Sequence, residues 1–432
     1  INIPTGKDSL SMKQKYADED VIAPGTVIIS AAGHCNDITK VVEPVFQNVP
    51  GNRIYHLDLS TDAFKLGGSS FAQALGGIGT ESPNINDAAK FKKTFNTIQK
   101  LIKEERILAG HDISAGGMIT TILEMCFSQN NVGADIDISA LNEKDSIKAL
   151  FAENAGVIIQ AKNAEIEALF TENGIAFTFI GNVFESNGVT IRNNKESFDF
   201  NVAYLRDIWF GTSYLLDDKQ TANGLATARF NNYKEQPLQF EFPTNFNGKL
   251  PVIDPSKPRP KAAIIREKGS NSEREMANAM YLAGFDVKDI HMTDLISGRE
   301  NLEDVQFIGA VGGFSNSDVL GSAKGWAGAF VYNEKAKTAL ANFFKRDDTL
   351  SIGICNGCQL FVELGLINPD HKEKPNMLHN DSLKHESGFT SVKIQENNSV
   401  MLSSLADSTL GVWISHGEGK FKIDTEKIDL DK

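Results

Sequence analysis

Cysteine, basic charge and long apolar runs are the scarce features of this 432-residue sequence. Only four residues are cysteine, which excludes a disulfide framework and is typical of a reducing compartment, so we expect a cytoplasmic protein. The 43 lysines and arginines are outnumbered by 56 aspartates and glutamates, and the net charge of -13 argues against nucleic acid or an anionic membrane as a partner. No run reaches the roughly 18 apolar residues of a membrane span, which predicts a soluble protein.

The composition and the order of patterns predict several α/β domains. Hydrophobic residues make up 41% and charged residues 23%, enough for sizeable cores, and the length suggests two or three domains. Alternating strand and helix patterns predict a mixed α/β and α+β class that ends in a doubly wound parallel sheet. The predicted divisions are the end of an N-terminal subdomain, an α/β subdomain, a connector and the doubly wound domain, at residues 1–50, 51–201, 202–259 and 260–432. The first residue is Ile1 and not Met, so we expect further parts of the same polypeptide upstream and downstream.

The stretch Gly353-Ile354-Cys355-Asn356-Gly357-Cys358-Gln359 carries the most specific chemical signal. An apolar strand pattern precedes Cys355 and an apolar helical pattern follows it, so the cysteine stands on a sharp turn like a nucleophile elbow. Gly353 and Gly357 leave the room that such a turn needs. The start of the next helix directs N–H groups and a positive dipole end towards the sulfur, which stabilises negative charge there. Cys355 is therefore our candidate nucleophile.

Cys355 and Cys358 also form a C-x-x-C pair, which is typical of a redox pair or of half a zinc site. The two other cysteines, Cys35 and Cys126, are distant and isolated in sequence, which disfavours a four-thiolate zinc site. The glycines around Cys355 favour the elbow over the redox pair.

The heptapeptide resembles the nucleophile motif of the class I, or triad, glutamine amidotransferases. A glycine loop after an earlier strand, Gly312-Gly313-Phe314-Ser315, resembles the oxyanion loop of the same enzymes. The resemblance implies that the backbone amides of Gly313, Phe314 and Asn356 stabilise a tetrahedral oxyanion. It also implies that Gln359 belongs to the glutamine site.

A second motif, His111-Asp112-Ile113-Ser114-Ala115-Gly116-Gly117-Met118, precedes an amphipathic helix pattern. An acid, a hydroxyl and glycines before a helix start suit a magnesium-phosphate site, and they equally suit a helix cap with tight packing. The segment resembles the His-Asp-x-Ser-Asp-Gly-Gly signature in the C-terminal subdomain of the aminoimidazole ribonucleotide synthetase-like ATP-binding superfamily. The resemblance implies that Asp112 binds Mg²⁺ and that Ser114 contacts ATP or ADP. Ala115 stands where the family has a second aspartate, which leaves open whether such a site is catalytic or structural.

The run His416-Gly417-Glu418 has the residue types of a triad base and its orienting carboxylate. It resembles, however, a Ser-His-Gly-Glu-Gly motif that lies upstream of the triad histidine in the related enzymes. We therefore expect the base and its glutamate beyond Lys432, and we expect this chain alone to be inactive. Asn380, Ser382 and Glu386 lie in a segment that resembles a structural or glutamine-positioning part of the same enzymes, so they are secondary candidates.

The segment Gly6–Ser9 resembles the end of the synthetase N-terminal subdomain. In this order, all of these motifs together resemble a family of large ligases of de novo purine biosynthesis. The resemblance implies that formylglycinamide ribonucleotide is amidated with ammonia from glutamine, with ATP and Mg²⁺ as cofactors and these small molecules as partners. Two alternatives stay open: a cysteine hydrolase or peptidase-like α/β domain fused to a kinase-like domain, and a non-catalytic glutaminase-like scaffold. The first requires a histidine near Cys355 within this chain.

Overall fold

The computed structural model describes residues 2–9, 13–15, 17–22, 26–235, 238–367, 369, 371–424 and 426–427, with the backbone alone for residues 2–9, 26 and 27. The chain divides into two units, residues 1–210 and 211–432. For the predicted segment Gly6–Ser9 the structure describes the backbone alone. The four predicted domain divisions stay predictions. No helix within the described ranges is long and apolar enough to cross a bilayer.

The first unit combines two small antiparallel pairs with a seven-stranded sheet. Its strands are β1 (Asn2–Ser9), β2 (Lys13–Lys15), β3 (Asp20–Ile22), β4 (Thr26–Ala32), β5 (Arg53–Asp58), β6 (Ile107–Asp112), β7 (Val132–Asp137), β8 (Gly156–Ala161), β9 (Thr178–Glu185), β10 (Gly188–Asn193) and β11 (Glu196–Asn201). Its helices are α1 (Ser70–Ala74), α2 (Ala88–Lys103), α3 (Gly117–Phe127), α4 (Ser146–Phe151), α5 (Glu165–Glu172) and the start of α6 (Val202–Gln220).

The seven strands lie in the order β11-β10-β7-β9-β5-β8-β6, and among these described strands only β10 and β7 are parallel. Helices α3 and α4 cover one face, where Ile122 and Met125 are fully buried. Helices α2 and α5 cover the other face, where Leu101 and Phe170 are buried. The segment 111–118 joins the edge strand β6 to α3. Helix α3 is buried on almost all sides, which matches its largely apolar sequence.

The second unit is built on a parallel sheet in the order β14-β12-β15-β17. Its strands are β12 (Lys261–Arg266), β13 (Ser270–Asn271), β14 (Asp286–His291), β15 (Phe307–Ala310), β16 (Gly312–Gly313), β17 (Leu350–Gly353), β18 (Asn376–Leu378), β19 (Glu386–Lys393), β20 (Thr409–His416) and β21 (Lys420–Lys422). Its helices, besides the end of α6, are α7 (Leu225–Asn232), α8 (Glu273–Leu282), α9 (Met292–Ser297), α10 (Lys324–Val331), α11 (Glu334–Phe344) and α12 (Asn356–Glu363).

Helices cover both faces of this parallel sheet. Helices α9 to α12 pack on one face around the buried Trp326, Phe330 and Phe343, and α8 packs on the other through Met280. The predicted doubly wound sheet and the mixed α/β class are thereby confirmed. Because β15 and β17 are parallel neighbours, the loops that follow them meet at the carboxyl edge of the sheet, where α/β folds place their sites.

Candidate active site

Cys355 stands between β17 and α12 in a backbone conformation that few residues other than glycine adopt. Its φ is 54° and its ψ is -112°. Such a conformation costs about 1–3 kcal/mol and persists where the surrounding structure imposes it, often at functional positions. Strand β17 ends at Gly353 and α12 begins at Asn356, so the predicted strand, turn and helix are observed.

The elbow glycines are required because their neighbours leave no space for a side chain. A Cβ on Gly357 would lie 2.1 Å from the carbonyl oxygen of Ala310 in β15, and one on Gly353 would lie 2.6 Å from the carbonyl oxygen of Gly357. A Cβ on Gly312 would lie 3.2 Å from the Cβ of Cys355. Helix α12 therefore lies directly against β15, and the nucleophile candidate lies beside the loop that follows β15.

The two predicted oxyanion amides of this loop, at Gly313 and Phe314, differ in their hydrogen bonding. Phe314 donates its N–H to the carbonyl oxygen of Gly269 at 2.9 Å, so that amide is occupied. Strand β16 pairs antiparallel with β13, and Gly313 faces Ser270 in the ladder. Because hydrogen-bonded and non-hydrogen-bonded pairs alternate in such a ladder, the Gly313 N–H points away from β13. The Gly313 N–H is thus not used in the pairing of β16 with β13.

Asn356 and Gln359, both predicted as oxyanion or glutamine contacts, have buried side chains that hold the elbow in place. Asn356 Oδ1 accepts the Ser315 N–H at 3.2 Å, and Asn356 Nδ2 donates to Gln359 Oε1 at 2.8 Å. Gln359 Nε2 donates in turn to the carbonyl oxygen of Glu418 at 2.8 Å. The side chains therefore support the pocket wall. The Asn356 backbone N–H lies in the first turn of α12, where N–H groups lack intrahelical acceptors.

Cys355 opens into a pocket of about 910 Å³. Its thiol donates to the carbonyl oxygen of Ser415 at 3.4 Å, and Ser415 Oγ lies 3.0 Å from His385 Nε2. Cys358 is half-buried, and its burial, together with the neighbouring Cys355, raises its pKa. Cys358 thus stays a thiol at neutral pH, while Cys355 is exposed to the pocket. Three histidines line this pocket: His379, His385 and His416.

His416 and Glu418 have separate partners. His416 Nδ1 lies 3.0 Å from Asn380 Oδ1, whereas Glu418 Oε1 lies 3.3 Å from His379 Nε2. Glu418 Oε2 also accepts the hydroxyl of Ser322 at 2.7 Å. In the described structure the His416 ring and the Glu418 carboxylate are thus bonded to other residues and not to each other.

The predicted nucleotide residues of the first unit face solvent. Asp112 ends β6 with a side chain that is 73% exposed, and Ser114 is exposed in the following turn. His111 lies 3.3 Å from both Asp112 Oδ1 and Glu124 Oε2. The described residues contain no group of three histidine, cysteine or acidic side chains arranged to hold a metal ion. One exposed carboxylate fits a cation held chiefly by the phosphates of a nucleotide, and it does not fit a metal site built by the protein alone.

Glu153 has a role that the sequence did not reveal. Its side chain is partly buried. Glu153 Oε1 accepts the N–H of Ser70 at 2.7 Å and the N–H of Gly116 at 2.8 Å. The carboxylate therefore ties the first residue of α1 to the N-cap residue of α3, and it occupies an amide that a phosphate could otherwise use.

Two family models match the chain. Residues 259–431 match a CobB/CobQ-like glutamine amidotransferase domain, and residues 49–193 match the C-terminal domain of AIR synthase related proteins. A phosphoribosylformylglycinamidine synthase from Homo sapiens is 35% identical over 97% of this chain and 33% of its own length. A probable phosphoribosylformylglycinamidine synthase, chloroplastic/mitochondrial, from Arabidopsis thaliana is 38% identical over 97% of this chain and 31% of its own length.

The chain is a homologue of the phosphoribosylformylglycinamidine synthases. It spans about a third of the length of these two synthases, 31% and 33%. Among solved structures, PurLQS from Thermotoga maritima is similar at 26% identity over 40% of this chain and 71% of that chain, with a TM-score of 0.32. The two predicted resemblances, to the glutamine amidotransferases and to the synthetase-like superfamily, are confirmed by the family models.

Proposed function

We propose that the second unit hydrolyses the side-chain amide of glutamine with Cys355 as nucleophile. The supporting observation is the strained elbow, which presents an exposed thiol to a pocket that Gly313 also lines. The match of the same residues to a glutamine amidotransferase domain points to glutamine as the substrate.

In this reaction the sulfur of Cys355 attacks the side-chain amide carbon of glutamine. The carbonyl oxygen becomes an oxyanion, which we assign to the N–H groups of Gly313 and Asn356. The carbon–nitrogen bond then breaks, the nitrogen takes a proton and leaves as ammonia, and a glutamyl thioester remains on Cys355. Water hydrolyses the thioester and restores the thiol.

The proton transfers need a base, and we assign that role to none of the described histidines. His416 is bound to Asn380 and His379 to Glu418, so neither is paired with the sulfur. His385 Nε2 lies 3.0 Å from the Ser415 hydroxyl, and the Ser415 carbonyl oxygen accepts a hydrogen bond from the Cys355 thiol. Because a histidine thus lies near Cys355, the cysteine hydrolase alternative is tested as well.

We further propose that the chain is part of an ATP-dependent ligase of de novo purine biosynthesis in the cytoplasm. The reaction would amidate formylglycinamide ribonucleotide to formylglycinamidine ribonucleotide with the ammonia released at Cys355. The support is the similarity over 97% of this chain to synthases named for this product. In the first unit, Asp112 would hold Mg²⁺ against the phosphates of ATP or ADP, and Ser114 would contact the nucleotide.

Labelling by the glutamine analogue diazo-oxo-norleucine tests the glutaminase in the full-length protein. We expect mass spectrometry to find the label on Cys355, with glutamine protecting it and Cys355→Ala abolishing it. Cys358→Ala is the matched control and should keep the label. Absence of the label from wild-type Cys355 would favour the scaffold, and loss of the label in His385→Ala or His416→Ala would favour the hydrolase with a base inside this chain.

Titration with a fluorescent ADP analogue tests the nucleotide assignment. We expect Asp112→Asn to remove the Mg²⁺ dependence of binding and Ser114→Ala to weaken binding, while the exposed Glu172→Gln leaves both unchanged. Equal Mg²⁺-dependent binding in Asp112→Asn and the wild-type protein would contradict the assignment.

A further inference from the structure

One wall of the Cys355 pocket is held by residues that precede the matched amidotransferase domain. The wall consists of Leu383, Lys384 and His385, which line the pocket and lie directly before β19. The residues that hold it come from the end of α6 and from α7, whereas the domain match begins at residue 259.

Four alternating charges fasten the wall. Arg229 Nη2 donates to both carboxylate oxygens of Glu386, at 2.9 and 3.0 Å, and Arg229 Nη1 donates to Asp217 Oδ2 at 2.6 Å. Lys384 pairs with the other oxygen of Asp217. The side chains of Asp217, Lys384 and Glu386 are 16–23% exposed, whereas that of Arg229 is 48% exposed, so water screens the pairs of Arg229 more than the pair between Asp217 and Lys384. We call Asp217, Arg229, Lys384 and Glu386 the clamp.

Backbone contacts reinforce the same attachment. The Ala222 N–H donates to the carbonyl oxygen of Ser382 at 3.0 Å, and Asn223 Nδ2 donates to the carbonyl oxygen of Asp381 at 2.8 Å. Both contacts come from the turn between α6 and α7. The segment before β19 is therefore held to these helices by charge and by backbone hydrogen bonds together.

The opposite side of the segment is joined to β20. The buried Asn380 donates to the carbonyl oxygens of His416, at 2.7 Å, and of Lys384, at 3.0 Å. His385 lies 3.0 Å from Ser415 Oγ, and the carbonyl oxygen of Ser415 accepts the Cys355 thiol at 3.4 Å. Ser415 thus lies between the wall and the sulfur.

We propose that the clamp positions this pocket wall and thereby sets the affinity for glutamine, without touching the reacting atoms. The inference rests on the proposed glutaminase function. Lys384 and Glu386 form ion pairs within the clamp, so their charges are neutralised there. The wall would therefore contact a ligand through its shape and through His385 rather than through these charges. The four clamp side chains are positioning residues that lie partly outside the amidotransferase domain.

The test is Arg229→Met in the full-length protein. We expect KM for glutamine to rise about tenfold, which corresponds to about 1.4 kcal/mol, while kcat stays within about twofold. Alkylation of Cys355 by iodoacetamide should keep its wild-type rate, because this small reagent does not need the wall. Arg346→Met is the matched control, since Arg346 pairs with Asp348 and does not line the pocket. A fall in kcat at unchanged KM, or an equal rise of KM in the control, would overturn the inference.

A double-mutant cycle separates the clamp from a general loss of stability. Arg229→Met and Glu386→Gln break the same ion pair, so the double variant should show about the KM of either single variant. Arg229→Lys should recover part of the effect, because it keeps the charge and loses the two-pronged geometry. Fully additive effects would contradict a shared clamp.

Hydrogen–deuterium exchange tests the clamp independently of the substrate. Backbone amides of residues 380–386 should exchange faster in Arg229→Met than in the wild-type protein, and Arg346→Met should leave them unchanged. Unchanged exchange in Arg229→Met overturns the clamp whatever the substrate. Lack of glutamine hydrolysis by the full-length wild-type protein, with faster exchange in the variant, would instead overturn the proposed function and leave the clamp in place.

Discussion

Replacing Gly357 by alanine tests whether the elbow depends on the close approach of α12 to β15. The added Cβ would lie 2.1 Å from the carbonyl oxygen of Ala310 and 2.5 Å from its carbonyl carbon, whereas ordinary contact begins at 3.4 Å. Both atoms belong to the backbone of a central strand, so no side-chain rotation relieves the clash. Overpacking of this kind costs about 1–3 kcal/mol, and the rigid neighbour places Gly357→Ala at the upper end.

Thermal unfolding followed by near-ultraviolet circular dichroism measures this cost, because the fully buried Trp326 contributes a signal from the second unit. Roughly 2–4 °C per kcal/mol is expected for a unit of this size, so Gly357→Ala should lower Tm by about 6–12 °C. Gly211→Ala is the control, and it should raise Tm rather than lower it. Nothing lies within 4 Å of a Cβ at Gly211, and alanine in a helix interior stabilises by about 1 kcal/mol relative to glycine.

Gly357→Ala should also lower the reactivity of Cys355 towards the glutamine analogue. A shift of α12 by about 1 Å would move Cys355 away from the loop that carries Gly313, which is enough to impair catalysis strongly. The labelling rate of Cys355 by diazo-oxo-norleucine should fall while the protein remains folded below its lowered Tm. Wild-type values of both Tm and labelling rate in Gly357→Ala would refute the steric reasoning.

Three further changes have expected outcomes. Glu153→Gln should weaken two charge-assisted hydrogen bonds, destabilise the first unit by about 1–3 kcal/mol and speed amide exchange at Ser70 and Gly116, whereas Glu172→Gln should change neither. Burial raises the pKa of Asp217, but hydrogen bonds and positive charges outweigh burial and hold it below its ordinary value. Asp217 therefore stabilises the protein above the ordinary carboxyl pKa and loses this effect as pH falls through the lowered pKa, so Asp217→Asn should flatten the acid limb in urea unfolding below about pH 5. Ile122→Ala should destabilise the first unit by about 2–5 kcal/mol in denaturant unfolding and leave the alkylation rate of Cys355 unchanged.

The parts of the site that the sequence predicted are those fixed by neighbouring residues. Strand, turn and helix around Cys355 follow from local periodicity, and Gly353 and Gly357 follow from the space that a sharp turn requires. The sequence could not say what fills that space. Ala310 is the neighbour of Gly357 only because β15 and β17 pair in the folded sheet.

The parts that the sequence did not reveal depend on partners distant in the chain. Phe314 is a predicted oxyanion donor, and the sequence did not reveal that its N–H is bonded to the carbonyl oxygen of Gly269, next to the β13–β16 pair. Glu153 joins the starts of two helices through Ser70 and Gly116, which carry no charge, so charge patterning gave no sign of the contact. A polar residue at a loop has many possible partners, and only the tertiary fold selects one.

Around Cys355, the groups that we assign to the reaction are the sulfur and two backbone N–H groups. The polar side chains instead hold the backbone of the elbow in place. Asn356 and Gln359 bond the elbow to its surroundings, and Glu418 is bound to Ser322. Substitution of such side chains should therefore act by displacing the Gly313 and Asn356 amides. Asn356→Ala separates the two roles, since it keeps the backbone N–H and leaves the Ser315 N–H without its acceptor. If position is its main contribution, the variant should lower kcat for glutamine and also speed amide exchange at Ser315; slower catalysis with wild-type exchange would instead show that the Asn356 side chain contacts the substrate directly.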